Sequence, residues 1–195
     1  MSIVHRLLSR RTLIIITGLS GSGKTTLAEA LGKGFGLEVV AFDDFKVKEY
    51  ENYGFMNEDE RLALQAAAKE KFEHGIRARM LADLTFIVEY PFRSYWQEFF
   101  DSVARKYNYK LLVINCNTRD FEELWESKIR RDNNPEVRPE CLVADAYIKD
   151  KLCIRADISS SEFKEKHRLA YENGTFTSIQ GNYVYTDEEV RGVLR

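Results

Sequence analysis

Cysteine, proline and histidine each occur only three times in this chain of 195 residues, and neither sign of charge dominates. The cysteines, Cys116, Cys141 and Cys153, are odd in number and far apart in sequence. That excludes a disulfide framework and a paired-cysteine metal site, and reduced thiols are the expectation. The histidines, His5, His74 and His167, have neither metal-ligand spacing nor a serine or cysteine partner nearby, so they are read as core or surface residues. Basic residues number 29 against 31 acidic, a net charge of −2, which excludes the strongly basic footprint of a general nucleic-acid binder. Long apolar runs are lacking too. The run from Leu13 to Ile16 falls far short of the roughly 20 residues of a membrane span. It leads into a glycine-rich turn rather than a small-residue cleavage site, so no secretion signal or membrane association is expected and the protein is read as cytoplasmic.

What is present is apolar and aromatic: 44% hydrophobic and 12% aromatic residues suffice for one core, and the length suggests a single domain over 1–195. Arg11 to Thr17 is a continuous β-branched run, suited to a central strand buried on both faces. Further strands are expected at 37–42, closing on Asp43 and Asp44, and at 84–89, 110–116 and 182–186. Helices are expected at 24–33, 58–82 with Asn57 as N-cap, 94–107, 119–131, near 141–152, near 161–172, and after Thr186 or Asp187 at the end. Residues 46–57, rich in tyrosine and charge, read as a loop, and 132–178 as an irregular polar insertion. Strands alternating with helices imply an α/β fold of three layers, with a five-stranded, mainly parallel sheet and right-handed crossovers.

Between the first strand and its helix lies GLSGSGKT, which matches G-x-x-x-x-G-K-[ST] at every fixed position. Glycines at Gly18, Gly21 and Gly23 allow the backbone to wrap closely around an anion, and successive N–H groups around Ser20 and Ser22 then point inward. The helix N-terminus adds partial positive charge. Gly18, Ser20, Gly21, Ser22, Gly23, Lys24, Thr25 and Thr26 are therefore the expected nucleotide-binding residues. Lys24 serves the β- and γ-phosphates of ATP, and Thr25 ligates Mg²⁺. The chain is thus expected to have a P-loop fold. An N-K-x-D signature for guanine is not evident.

Ligands of open α/β sheets sit beyond the carboxyl ends of the strands. Two more strands end there in acids: the second in Asp43-Asp44 and the third in Glu89. Mg²⁺ is commonly held by one or two carboxylates plus phosphates and water. An acceptor hydroxyl must also be held in line and lose its proton. Asp43 is assigned to the acceptor hydroxyl and Glu89 to the Mg²⁺ shell, with Asp44 a second candidate for either. The alternative for the acid pair is turn and cap chemistry at a strand end. Phe45, Tyr50, Tyr53 and Phe55 follow the pair, and either pack in the core or stack on a planar acceptor.

ITGLSGSGKTTLAEAL, VVAFDDFK and TFIVEYPF together resemble the uridine kinase and nicotinamide riboside kinase group of P-loop kinases. The resemblance covers residues 12–45, 84–131 and the final 14. It implies a nucleoside/nucleotide kinase-like fold with a lid at about 132–178. It also implies ATP- and Mg²⁺-dependent transfer of a phosphoryl group to a hydroxyl of a small molecule such as a nucleoside or other ribosyl compound. By position, Asp43 falls on the group's catalytic aspartate, Glu89 on its metal-associated acid, and Lys24 and Thr25 on its phosphate and metal residues. Tyr90-Pro91 replaces the group's glycine after the acid, so the acceptor pocket is shaped differently here. The helix FEELWESKIRRD corresponds to the one leading into the lid. Arg131 is the preferred lid residue for the transferring phosphate, with Lys128 and Arg138 behind it, and the alternative is a solvated basic helix end. Two other readings stay open: a P-loop kinase for another acceptor (a nucleotide, sugar or antibiotic), and a nucleotide-binding regulator with no acceptor.

Overall fold

A computed structural model describes residues 2–116, 120–132 and 161–193. The chain opens with a short helix, α1 (Ile3–Leu7), capped by Ser2, whose hydroxyl accepts from the His5 amide. It was not expected from sequence. Strand β1 (Thr12–Thr17) follows and is buried at every position, as its unbroken apolar run requires. Helix α2 (Lys24–Phe35) ends at Gly36, and β2 (Glu38–Ala41) comes next.

Here the structure corrects the sequence reading. Residues 46–57 are mostly helix, not loop: α3 spans Phe42–Tyr53 and begins directly at the end of β2. Asp43 and Asp44 lie in its first turn, where negative charge complements the helix dipole. Phe42 and Tyr50 are buried, and Phe45 and Phe42 both pack on Phe72 of the following helix. Glu49, also buried, receives the Lys71 ammonium of that helix at 2.5 Å. Packing of this kind outweighs the weak helix propensity of the segment.

Helix α4 (Glu58–Leu81) starts at the expected cap, with Asn57 Oδ1 accepting from the Glu60 amide at 2.9 Å. Its buried face, Ala68, Phe72, Ile76 and Met80, repeats every four residues. Then come β3 (Phe86–Glu89), a single 3₁₀ turn (Ser94–Trp96), α5 (Gln97–Tyr107), β4 (Lys110–Asn115) and α6 (Phe121–Asp132). After residue 160 the chain forms α7 (Ser161–Glu172), β5 (Tyr183–Thr186) and α8 (Asp187–Arg191), the last closed by a capping box between Thr186 and Glu189. The helix expected near 141–152, Arg138, Cys141 and Cys153 lie outside the described residues.

The five strands are ordered β2-β3-β1-β4-β5, and all four pairings are parallel. One sheet face packs through Leu13, Ile15, Val88 and Val113 onto Phe72, Trp96 and Phe100. The other packs through Ile14, Ile16, Ile87 and Leu112 onto Leu7, Leu27 and Val190. A third cluster joins Leu19, Phe121, Leu124, Trp125 and Phe176 and seats α6 and α7 against the glycine-rich loop. Ile16 is paired with Glu89, and Ala41 with Glu89, so three strands end at one level. That level is the carboxyl edge, where the loop after β1 emerges.

Candidate active site

The loop from Gly18 to Gly23 is shaped by close backbone approaches. A Cβ on Gly18, at φ +145, would collide with the carbonyl of Cys116, just past β4. A Cβ on Gly21, at φ +90, would lie 2.5 Å from the Leu124 carbonyl of α6. Any side chain here would lift the loop off its supports. The buried Ser22 hydroxyl has no hydrogen-bond partner among the described residues, and the buried Thr17 hydroxyl donates to the Phe176 carbonyl at 2.9 Å.

Lys24 opens α2 and is almost fully buried. Its ammonium donates to the Leu19 carbonyl at 3.0 Å and lies 3.9 Å from Glu89 Oε1. Burial pulls the ammonium's pKa below its ordinary value, against the pull of Glu89. Thr25 donates its hydroxyl to Glu89 Oε2 at 3.1 Å. Lys24, Thr25 and Glu89 are thus brought together as the sequence suggested. A hydroxyl beside a carboxylate supplies oxygen donors suited to Mg²⁺ when phosphates and water complete the shell. Among the described residues, no group of three or more His, Cys, Asp or Glu could hold a metal by itself, so the nucleotide would have to share the ion.

Facing the loop, α6 presents Ser127, Arg130 and Arg131 across a cleft of about 380 Å³, lined on the other side by Gly21, Gly23, Lys24, Thr25 and Thr26. Arg131 reaches across it and donates to the Ser20 hydroxyl at 2.6 Å. Ser127 and Arg130 were missed in the sequence. Their signal was the i, i+3, i+4 spacing with Arg131, which puts all three on one helix face. Lys128 is turned elsewhere: it is buried, with its ammonium 5.2 Å from the Phe163 ring centroid and 5.9 Å from that of Trp125. His167 packs against the same two rings.

On the far side of Glu89, Asp43 sits in the first turn of α3, and its Oδ1 is 2.6 Å from the ammonium of Lys46. Lys46 lies 5.2 Å from the Tyr90 ring centroid and 5.8 Å from that of Phe42, a cation–π setting. Burial works against its charge, but Asp43 and then Tyr90 outweigh it and hold the pKa above the ordinary lysine value. Burial also pushes the Tyr90 phenol up. Asp43 lies close enough to Lys24 to act on its charge. Asp44, one residue on, is exposed. Of the four aromatics considered for stacking, Tyr50 and Phe55 are buried against each other, Phe45 packs on Phe72, and Tyr53 is exposed. Core packing accounts for the first three.

Loop, sheet order and flanking helices define a P-loop fold of the kinase-like kind. The sequence profile of the AAA domain family matches residues 13–149, more than half of the chain, and the protein belongs to that family. No curated protein matches the sequence. Among solved structures, a protein of proposed kinase function from Chloroflexus aurantiacus j-10-fl superposes with a TM-score of 0.70 at 21% identity, covering 91% of this chain and 88% of that one. Shikimate kinase from Acinetobacter baumannii, in complex with shikimate, gives 0.52 at 13% identity, with 98% and 91% covered. A component of the PezAT toxin-antitoxin system of Streptococcus pneumoniae gives 0.52 at 15%, with 93% and 70% covered. At these identities the likeness is one of fold. None of the three is named as a uridine or nicotinamide riboside kinase.

Proposed function

We propose that the chain is an ATP- and Mg²⁺-dependent kinase that transfers the γ-phosphoryl group to a hydroxyl of a small molecule. The observation that carries this reading is the convergence of two clusters on one sheet edge: Lys24, Thr25 and Glu89 at the loop, and Asp43 with Lys46 one strand over. The loop amides, Lys24, Arg130 and Arg131 grip the phosphates. Thr25 and Glu89 would hold Mg²⁺, which would neutralise charge on the phosphate oxygens. Asp43 orients the acceptor hydroxyl and takes its proton as the new oxygen–phosphorus bond forms and ADP leaves. A loose transition state tolerates such a weak base, because the proton moves late. The site is compatible with a nucleoside or other ribosyl acceptor, the class the VVAFDDFK and TFIVEYPF segments suggest, and with a cytoplasmic location, where ATP is plentiful.

The test is ADP release from ATP and Mg²⁺ with a panel of nucleosides, sugar acids and shikimate. At least one acceptor is expected to stimulate release and to appear as its phosphate ester. If no acceptor is phosphorylated while ATP still binds, the kinase reading fails. The protein would then be a nucleotide-binding regulator. In that case Asp43→Asn would leave its function intact.

A further inference from the structure

The last helix places a cation at the loop that neither the motif nor the lid helix accounts for. Arg191, in the final turn of α8, points its guanidinium at Gly23: a Cβ built on Gly23 would lie 3.4 Å from Arg191 Nη2, ordinary van der Waals contact. Gly23 is the N-cap of α2, the residue just before Lys24. The guanidinium is aimed rather than adrift. Its Nε donates to Asp187 Oδ2 at 3.2 Å, and Asp187 is itself buried. The capping box of Thr186 and Glu189 fixes the start of the same helix, and β5 sets its position by pairing with β4. Among the described residues the two terminal nitrogens of Arg191 have no hydrogen-bond partner, and the side chain is 36% exposed. A fork of N–H donors, anchored through its third nitrogen and open at the other two, suits a phosphate oxygen.

We propose that Arg191 is a further anion-binding residue for the phosphate chain of the nucleotide, acting on the loop from a different side than α6. A Cβ on Gly21 would meet the Leu124 carbonyl of α6, whereas one on Gly23 would meet Arg191, which is not among the residues lining the cleft between the loop and α6. The inference rests on the phosphate-binding reading of the loop and adds a contact to it. Asp187 is the positioning residue, holding the guanidinium toward Gly23.

Calorimetry of the full chain with Mg²⁺-ATP and, separately, Mg²⁺-tripolyphosphate tests it without knowledge of the acceptor. Arg191→Gln should weaken both by about tenfold or more, as expected for losing a hydrogen bond between charged groups. Arg191→Lys should recover part of the loss, since the charge remains and the fork does not. Unchanged affinity for both ligands overturns the proposal. Weakened ATP with unchanged tripolyphosphate also overturns it, because the contact would then be to base or ribose. A wild-type chain that binds neither ligand overturns the loop reading as well, which separates the two failures. Thermal melting shows whether Arg191→Gln is folded. If it is not, Asp187→Asn keeps the guanidinium and releases its anchor. About two- to fivefold weaker binding of both ligands is then expected, and unchanged binding sinks the idea.

Discussion

The phosphate side of the cleft and the acceptor side are built by different means. On the phosphate side, the backbone does most of the work: glycines at special φ, a helix N-terminus and one buried lysine. Such a device is local, and eight consecutive residues specify it. On the acceptor side, Asp43 owes its place to a helix held by Phe42, Phe45 and Glu49, which find partners on α4 and after β3. The first side is specified locally but still rests on the Cys116 and Leu124 carbonyls. The second exists only as a product of tertiary packing.

Substitutions at four positions sharpen or break that contrast. Lys24→Met should have the largest effect, lowering ADP release with the best acceptor by about 10³-fold, because a preorganised charge at the phosphates is lost. Asp43→Asn should lower kcat by about 10²-fold while calorimetry shows ATP binding unchanged. Equal loss of binding would mean the two sides are not separable. Glu89→Gln, at the seam, should raise the Mg²⁺ concentration needed for half-maximal rate by about 10-fold or more. Lys46→Met should cut kcat by about tenfold with the KM for ATP untouched, and Lys46→Arg should restore part of the rate, since it keeps a cation beside Asp43. A shift in ATP KM with Lys46→Met would place that lysine on the phosphate side instead.

Legibility in the sequence followed the same division. β1, the phosphate loop, the Asn57 cap and the Thr186 cap each rest on contiguous residues whose spacing states the structure. The parallel sheet followed from the alternation of elements, and Glu89 was found because it closes an apolar strand. α3 was not legible: its tyrosines and charges carry no clear apolar stripe, and its helix is decided by Phe72 and Lys71 of the next helix. Lys128 misled for a related reason. Its spacing from Arg131 is right for a shared face, but the rings of Trp125 and Phe163 hold it. Phe163 lies on α7, more than 30 positions further along the chain, and no local pattern announces that contact.

The junction at Ala41 has a kinematic consequence. Because β2 passes into α3 with no residue between them, Asp43 rides on a rigid corner and has no hinge on which to travel. Any closing stroke would therefore fall to other side chains, with Arg131 releasing Ser20 while the carboxylate stays still. The acceptor hydroxyl would meet a stationary anvil, and the moving hammer would be on the nucleotide's side.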